Sequence, residues 1–357
     1  MSARRSKASP CCGATTARAL TKPRVSLLIP VCDAETTLER SLGSALGQSY
    51  ADLEVVVVLN GITDQSREVV RAIASQDARV RVFEREEANL AEALDDGLRR
   101  CRGELVVRHD ADDHMEPERV ALQVSALDEH PEWIGVTALV RSVGLNAEPG
   151  EGMGRHVAWL NSLETPEAIR AGRFIDAPMA HPAVTFRRQE VIDAGGYRDG
   201  DFPEDHELWL RLFEAGALFG SVRETLVDWT DRPERFTRTN IRCRDEARRR
   251  LVHDYLASGP LANGRRVRIW GAGPFGKRHA RELQARFGCV DDLIDIDPKK
   301  IGREVAGGLT VVSHTSIEEP DGRLILLAVG SAGARAQIEA FLTERGHRAE
   351  RDYLPVH

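Results

Sequence analysis

Cysteine is sparse and scattered in this chain. The six residues, Cys11, Cys12, Cys32, Cys101, Cys243 and Cys289, form no CxxC pair and match no zinc spacing, so free thiols in a reducing compartment are expected. Long apolar runs are absent as well. The longest, such as Val55 to Leu59 and Leu324 to Val329, are strand-sized, which excludes a membrane-spanning helix. The N-terminal segment lacks the roughly 7–15-residue apolar core of a secretory signal, so a cytoplasmic location is expected, with peripheral contact at the inner face of a membrane left open. An excess of positive charge is missing too. A formal net charge of -7 argues against nucleic acid as a partner, although Met1 to Lys22 carries five Lys/Arg and no Asp/Glu and reads as a disordered basic tail.

What is present is a globular composition, 42% hydrophobic and 29% charged over 357 residues, a length that suggests a large domain plus a smaller one. From Arg24 short apolar runs alternate with helical patterns. Val25 to Ile29 reads as a strand, and Leu38, Leu42 and Leu46 at a spacing of four as a helix. Leu53 to Leu59 is a second strand ending in the turn Asn60-Gly61, followed by a helix through Val69, Val70 and Ile73. Val80 to Phe83 is a third strand. Leu90, Leu94, Leu98 and Cys101 line one helical face that Gly103 is expected to close, and Leu105 to Val107 is the next strand. Repeated units of this kind imply α/β architecture with a mostly parallel sheet covered on both faces. The composition turns loop-like around Ser258 to Gly264, after a charged stretch from Arg242 to Arg250, and a new strand starts at Val267. The expected organisation is therefore a tail over 1–22, a first domain over 23–260 and a second over 261–357.

Doubly wound sheets bind ligands at the carboxyl ends of their strands, so the residues after Val107 are where chemistry is expected. Asp110, Asp112 and Asp113 lie there within four residues. Three negative charges so close together need a compensating cation or donor set. Mg²⁺ or Mn²⁺, which bridge carboxylates to substrate phosphates, would supply it. An exposed acidic turn, or a helix N-cap at Asp113, would fit the same spacing.

Taken with Val25-Ser-Leu-Leu-Ile-Pro-Val31, Asn60-Gly-Ile-Thr-Asp64 and Arg108-His-Asp-Ala-Asp-Asp-His-Met-Glu-Pro-Glu-Arg119, the chain resembles the family 2 glycosyltransferases of GT-A fold. His181-Pro-Ala-Val-Thr-Phe-Arg187, Gly195-Gly-Tyr-Arg198 and Glu204-Asp-His-Glu-Leu-Trp-Leu-Arg-Leu212 extend the resemblance over about two-thirds of the sequence. The resemblance implies that Pro30, Cys32, Asp33 and Asn60 contact the nucleotide. It implies that Asp110 and Asp113 hold ribose and diphosphate, and that Asp112 is the metal ligand. Leu59 stands where the family often has an acidic residue, and Cys32 where it often has tyrosine.

An acceptor hydroxyl must lose its proton as it attacks an anomeric carbon, and Asp205, within the family's Glu-Asp motif, is the implied base. Glu204 is its neighbour, and helix capping is the structural alternative for Asp205. Trp229 to Arg238 resembles the segment that closes over the donor, without the histidine the family often has there. Arg232, Arg235 or Arg238 could pair with the diphosphate, with Arg235 and Arg238 taken as the binding residues. A solvated basic loop would read the same way. His181, before Pro182, reads as structural, and Arg119 and Trp133 as packing around the acidic turn.

Ile269-Trp-Gly-Ala-Gly-Pro-Phe-Gly276 is a GxGxxG after an expected strand and before a helix, with Asp295 and Asp297 about twenty residues on. Gly271, Gly273 and Gly276 would cradle a phosphate, and Asp295 would hold ribose hydroxyls. This segment resembles small Rossmann-like domains appended to sugar-modifying enzymes, which implies a nucleotide- or sugar-nucleotide-binding, docking or regulatory role, with a purely structural domain as the alternative. The reading that unites these features is an inverting transferase using a nucleoside-diphosphate sugar and Mn²⁺ or Mg²⁺, acting on a hydroxyl of a cell-surface glycan or its lipid-linked precursor. An NAD-dependent oxidoreductase built on the GxGxxG segment, or a non-catalytic sugar-nucleotide sensor, are the alternatives.

Overall fold

The computed structural model describes residues 22–357 except 146, 147, 234, 306 and 332. The tail expected over 1–22 lies, apart from Lys22, outside the described residues. Two sheets make up the architecture. The first contains β1 (Val25–Val31), β2 (Leu53–Asn60), β3 (Val80–Arg85), β4 (Leu105–Arg108), β5 (His114–Met115), β6 (Gly135–Gly144), β7 (Thr185–Arg187) and β8 (Phe219–Asp231), in the order β3-β2-β1-β4-β7-β6-β8-β5. β3, β2, β1 and β4 pair in parallel, as do β6 and β8, while β7 and β5 run antiparallel to their neighbours. This is a curled, mostly parallel sheet of GT-A type.

Alternation within buried strands puts helices on both faces. Leu27, Ile29 and Val31 of β1, with Val55, Val57 and Leu59 of β2, face one core with α1 (Leu38–Leu46), α2 (Ser66–Gln76) and α4 (Arg119–Glu129). Leu28, Val56 and Val58 face the other, against α3 (Leu90–Arg100) and, farther along the sheet, α7 (Arg188–Asp193) and α8 (Glu204–Glu214). α5 (Glu151–Asn161) and α6 (Pro166–Gly172) join β6 to β7. Gly103 does not close α3. The helix ends at Arg100, Cys101 is extended, and Gly103 is required because a Cβ there would lie 2.6 Å from the Ser26 backbone nitrogen.

After β8 come the short α9 (Phe236–Thr239) and the long α10 (Asp245–Ser258), which leads to the second sheet. That sheet holds β9 (Val267–Trp270), β10 (Val290–Asp295), β11 (Glu304–Val305), β12 (Leu309–Ser313), β13 (Leu324–Leu327) and β14 (Tyr353–Pro355), in the order β11-β12-β10-β9-β13-β14. All its pairings are parallel except β11 with β12, and α11 (Pro274–Phe287) and α12 (Ala334–Glu344) pack on it. Phe174 and Leu210 of the first unit share a core with Leu251 and Leu256 of α10 and Val267 and Ile269 of β9, and Arg173 pairs with Glu350 at 2.7 Å. The two units are therefore packed together. Among the described residues no helix is long and apolar enough to cross a membrane.

Candidate functional site

The acidic turn follows β4 directly, and α1 holds it by its carbonyls. Ser41 Oγ donates to the Asp110 carbonyl at 2.8 Å, Thr37 Oγ1 to that of Ala111 at 3.0 Å, and Arg40 to that of Asp112 at 2.9 Å. From the other side β8 closes on it: the Thr230 amide donates to Asp113 Oδ1 at 2.8 Å, and the Thr230 hydroxyl to the Asp112 carbonyl at 2.6 Å. With the backbone fixed this way, one oxygen of each of Asp110, Asp112 and Asp113 comes within 4.8 Å of the others. Asp113 caps no helix, since α4 begins at Arg119 with Glu118 in the cap position. Its carboxylate is buried, and Oδ2 has no hydrogen-bond partner among the described residues. Burial, reinforced by Asp110 and Asp112, pushes the Asp113 carboxyl well above its ordinary range, and burial with the charge of Asp110 raises Asp112. Crowded carboxylates with an orphaned oxygen are the chemistry of an oxygen-ligand cation site.

Arg108, the last residue of β4, is buried to 2% exposure and reaches Asp110 at 2.7 Å. Its charge also acts on Glu204 and Asp205, holding both below where burial alone would take them. Its charge is therefore felt both at the acidic turn and at the first turn of α8. There Glu204 is buried, and burial together with the charge of Asp205 raises its carboxyl to about 8. Asp205 is raised as well, chiefly by burial. Capping does not explain Asp205: Pro203 occupies the cap position of α8, and the aspartate only accepts the adjacent His206 amide at 2.7 Å. Beside this pair Tyr197 meets His181 Nε2 at 2.8 Å, which accounts for His181 as a structural residue. Tyr197 is aimed by the Gly195-Gly196 turn. Both glycines have positive φ, and a Cβ on Gly196 would lie 2.0 Å from Asp95 Oδ1, so only glycine fits.

The strand-end residues divide by what occupies them. Pro30 is buried at the point where β1 has already parted from β4, so its missing N–H is not needed there. Asp33, at φ 43°, spends its carboxylate on the Thr63 amide and hydroxyl, both at 2.7 Å. Asn60 uses its side-chain oxygen on the Asn89 amide at 2.9 Å. These two shape the rim by bracing neighbouring loops. Cys32 is exposed, and burial of its thiol plus the charges of Asp33 and Asp64 raises its pKa.

The three arginines of the basic segment after β8 have different partners. Arg232 is the residue at the acidic turn, 2.9 Å from Asp112. Arg235 lies over the Trp229 ring at 4.4 Å, and Arg238 is held by Asp231 at 2.8 Å, with Asp231 also accepting the Gly150 amide. Trp133 is likewise not at the acidic turn. It packs on Gly220 at the far end of β8, whereas Arg119 does sit beneath the turn, donating to the Arg108 carbonyl at 2.9 Å.

In the second unit Gly271 has φ 117°, and a Cβ on Gly276 would lie 1.7 Å from the Gly271 carbonyl, so the loop and α11 need both glycines. Gly273, by contrast, faces open space. Asp295 does not present a free carboxylate for ribose. It accepts the Ala272 and Asp297 amides, each at 2.9 Å, and pairs with Lys300 at 2.9 Å.

Sequence reasoning gave no role to Arg108, Arg40, Thr230 or Asp231. Only Arg108 carried a readable signal, an arginine closing the apolar run Leu105-Val-Val107, where a buried charge demands an anion.

Residues 26–196 match the model of the family described as Glycosyl transferase family 2. The amylovoran biosynthesis glycosyltransferase AmsE of Erwinia amylovora is 30% identical over 208 residues, covering 57% of this chain and 74% of that protein. The O-antigen biosynthesis glycosyltransferase WbnJ of Escherichia coli is 25% identical over 194 residues, covering 53% and 71%. Among solved structures, residues 1–349 of S. aureus TarS, in complex with UDP-GlcNAc, superpose with a TM-score of 0.50 at 14% identity, over 74% of this chain and 73% of that one, a likeness of fold.

Proposed function

The chain belongs to glycosyl transferase family 2, and on that premise we propose that this glycosyltransferase moves a sugar from a nucleoside diphosphate to a hydroxyl acceptor by one inverting displacement. The observation that carries the reading is the acidic turn, where one oxygen of each of Asp110, Asp112 and Asp113 lies within 4.8 Å of the others and Asp113 Oδ2 has no hydrogen-bond partner among the described residues. The acidic turn suits a hard divalent cation, Mn²⁺ or Mg²⁺. Asp112 would be its principal ligand, with Asp110 and Asp113 completing the oxygen donors. Such an ion, when bound, would offset the charge of a departing diphosphate. Arg232, 2.9 Å from Asp112, would pair with that diphosphate. The loops braced by Asp33 and Asn60, with Pro30 and Cys32, form the nucleotide rim.

Asp205, not needed as a cap, takes the acceptor's proton, while Glu204 keeps its own proton at neutral pH. Two raised carboxyls side by side separate in this way because both cannot ionise cheaply. The acceptor is read as a hydroxyl on a cell-surface glycan or its lipid-linked precursor, by analogy with relatives named for amylovoran and O-antigen biosynthesis. We assign residues 23–260 to the transferase domain and 261–357 to a small Rossmann-like domain. Calorimetric titration with UDP-, GDP- and dTDP-sugars, with and without Mn²⁺, tests the reading. One donor class should bind with metal dependence, and absence of binding by all three would remove the proposal.

A further inference from the structure

A cavity of about 900 Å³ lies away from the acidic turn, where the two units meet. Its walls come from α5 and the residues after α6 on the transferase side, from α10, and from the first turns of α11 and α12. Beneath it are the carboxyl ends of β9 and β13, adjacent strands from which the chain order runs outward in opposite directions. Open parallel sheets bind ligands at this kind of switch point.

The lining names the class of ligand. Five arginines and the carboxylates of Asp176, Asp245 and Glu339 line it; Arg155 lies 3.5 Å from Glu151, and Arg335 donates to the His357 carbonyl. Arg248 is engaged by Asp176 at 3.1 Å and Asp245 at 2.8 Å, and Arg249 by Glu282 at 3.1 Å. Arg278 is exposed and forms no ion pair among the described residues. The unpaired Arg278, together with the starts of α11 and α12 at the carboxyl edge of the sheet, suits a ligand rich in anionic oxygen. The volume exceeds what a diphosphate fills, and Phe174, Phe275 and Val356 supply an apolar wall for the remainder. Because Asp295 is held by Ala272, Asp297 and Lys300, recognition here does not use a ribose-binding carboxylate at that position.

We propose that this cleft is a second binding site, distinct from the donor site, for a diphosphate-bearing molecule held between the two units by Arg278 and the starts of α11 and α12. Two sources share that chemistry, a free nucleotide and a lipid-linked diphosphate. The test titrates the full chain calorimetrically with inorganic pyrophosphate, ADP and farnesyl diphosphate, with EDTA present to silence metal-dependent donor binding. Binding of at least one probe is expected, weakened roughly tenfold or more in Arg278→Glu, a surface change that should leave the melting temperature of the unliganded protein unaltered. Tighter binding of ADP than of pyrophosphate identifies a nucleotide site, and tighter binding of farnesyl diphosphate a lipid-linked one. Failure of all three probes to bind, or binding that Arg278→Glu leaves unchanged, overturns the proposal.

Discussion

Replacing Asp205 by Asn isolates proton transfer from everything else this residue does. Its one hydrogen bond, accepted from the His206 amide at 2.7 Å, can be kept by the amide oxygen, and no helix cap is lost because Pro203 holds that position. Folding stability should therefore change little. Donor affinity should also hold, since the one hydrogen bond of Asp205 goes to the His206 amide and not to the acidic turn. What disappears is a carboxylate able to accept a proton at neutral pH, so turnover should fall about a hundredfold or more, near 2.7 kcal/mol in the barrier. The change also removes the charge that, after burial, does most to raise Glu204. Glu204 should then ionise at a lower pH, and residual activity should show that shift in its pH profile. The assay is steady-state transfer to a hydroxyl acceptor, with donor affinity measured separately by calorimetry. Transfer within about threefold of wild type would refute the base assignment, because general-base removal costs far more.

Other substitutions probe the remaining parts. Arg108→Met keeps the length of the side chain but leaves buried carboxylates without their cation, so urea unfolding should report a loss of about 3–5 kcal/mol; a change under about 1 kcal/mol would deny Arg108 its bridging role. Glu204 has a folded pKa of about 8, against about 4.3 for an unfolded glutamate, so the native state holds this proton more tightly. Its contribution to stability is fully present below about pH 4.3 and is lost as pH rises towards about 8. Melting temperature should accordingly decline over that window, and Glu204→Gln should flatten the decline. Arg232→Ala should weaken metal-dependent donor binding about tenfold, whereas Arg238→Ala, which loses its pairing with Asp231, should change it by less than about threefold. The reverse order in calorimetry would restore Arg238 as the diphosphate partner.

Much of this could be read from the sequence because local patterns and the fold agreed. Alternating buried residues in Val25–Val31 and Leu53–Asn60 required helices on both faces, and the acidic turn had to follow β4 at the ligand-binding edge. Other features depended on packing between segments distant in sequence. Which arginine meets Asp112 is decided by how β8 closes against the turn through Thr230, and nothing in Trp229 to Arg238 encodes that closure. Gly103 suggested a helix stop because glycine often follows a helix end, yet its place is set by contact with β1. Trp133 lies near the acidic turn in sequence and at the other end of β8 in space. Asp295 sits where a ribose-binding residue is expected, but the Ala272 and Asp297 amides and Lys300 already occupy its carboxylate.

The proposed chemistry requires the acidic turn to hold a divalent ion through which the donor's diphosphate is bound. Electron paramagnetic resonance of Mn²⁺ tests it directly, by titrating the ion into wild type and Asp112→Asn in the presence of UDP, GDP or dTDP, whichever nucleotide the donor titration selects. Wild type should convert free Mn²⁺ to a bound signal that strengthens with the nucleotide, and Asp112→Asn, while remaining folded, should leave the ion free at the same concentrations. Equal Mn²⁺ binding by the two proteins would contradict the account.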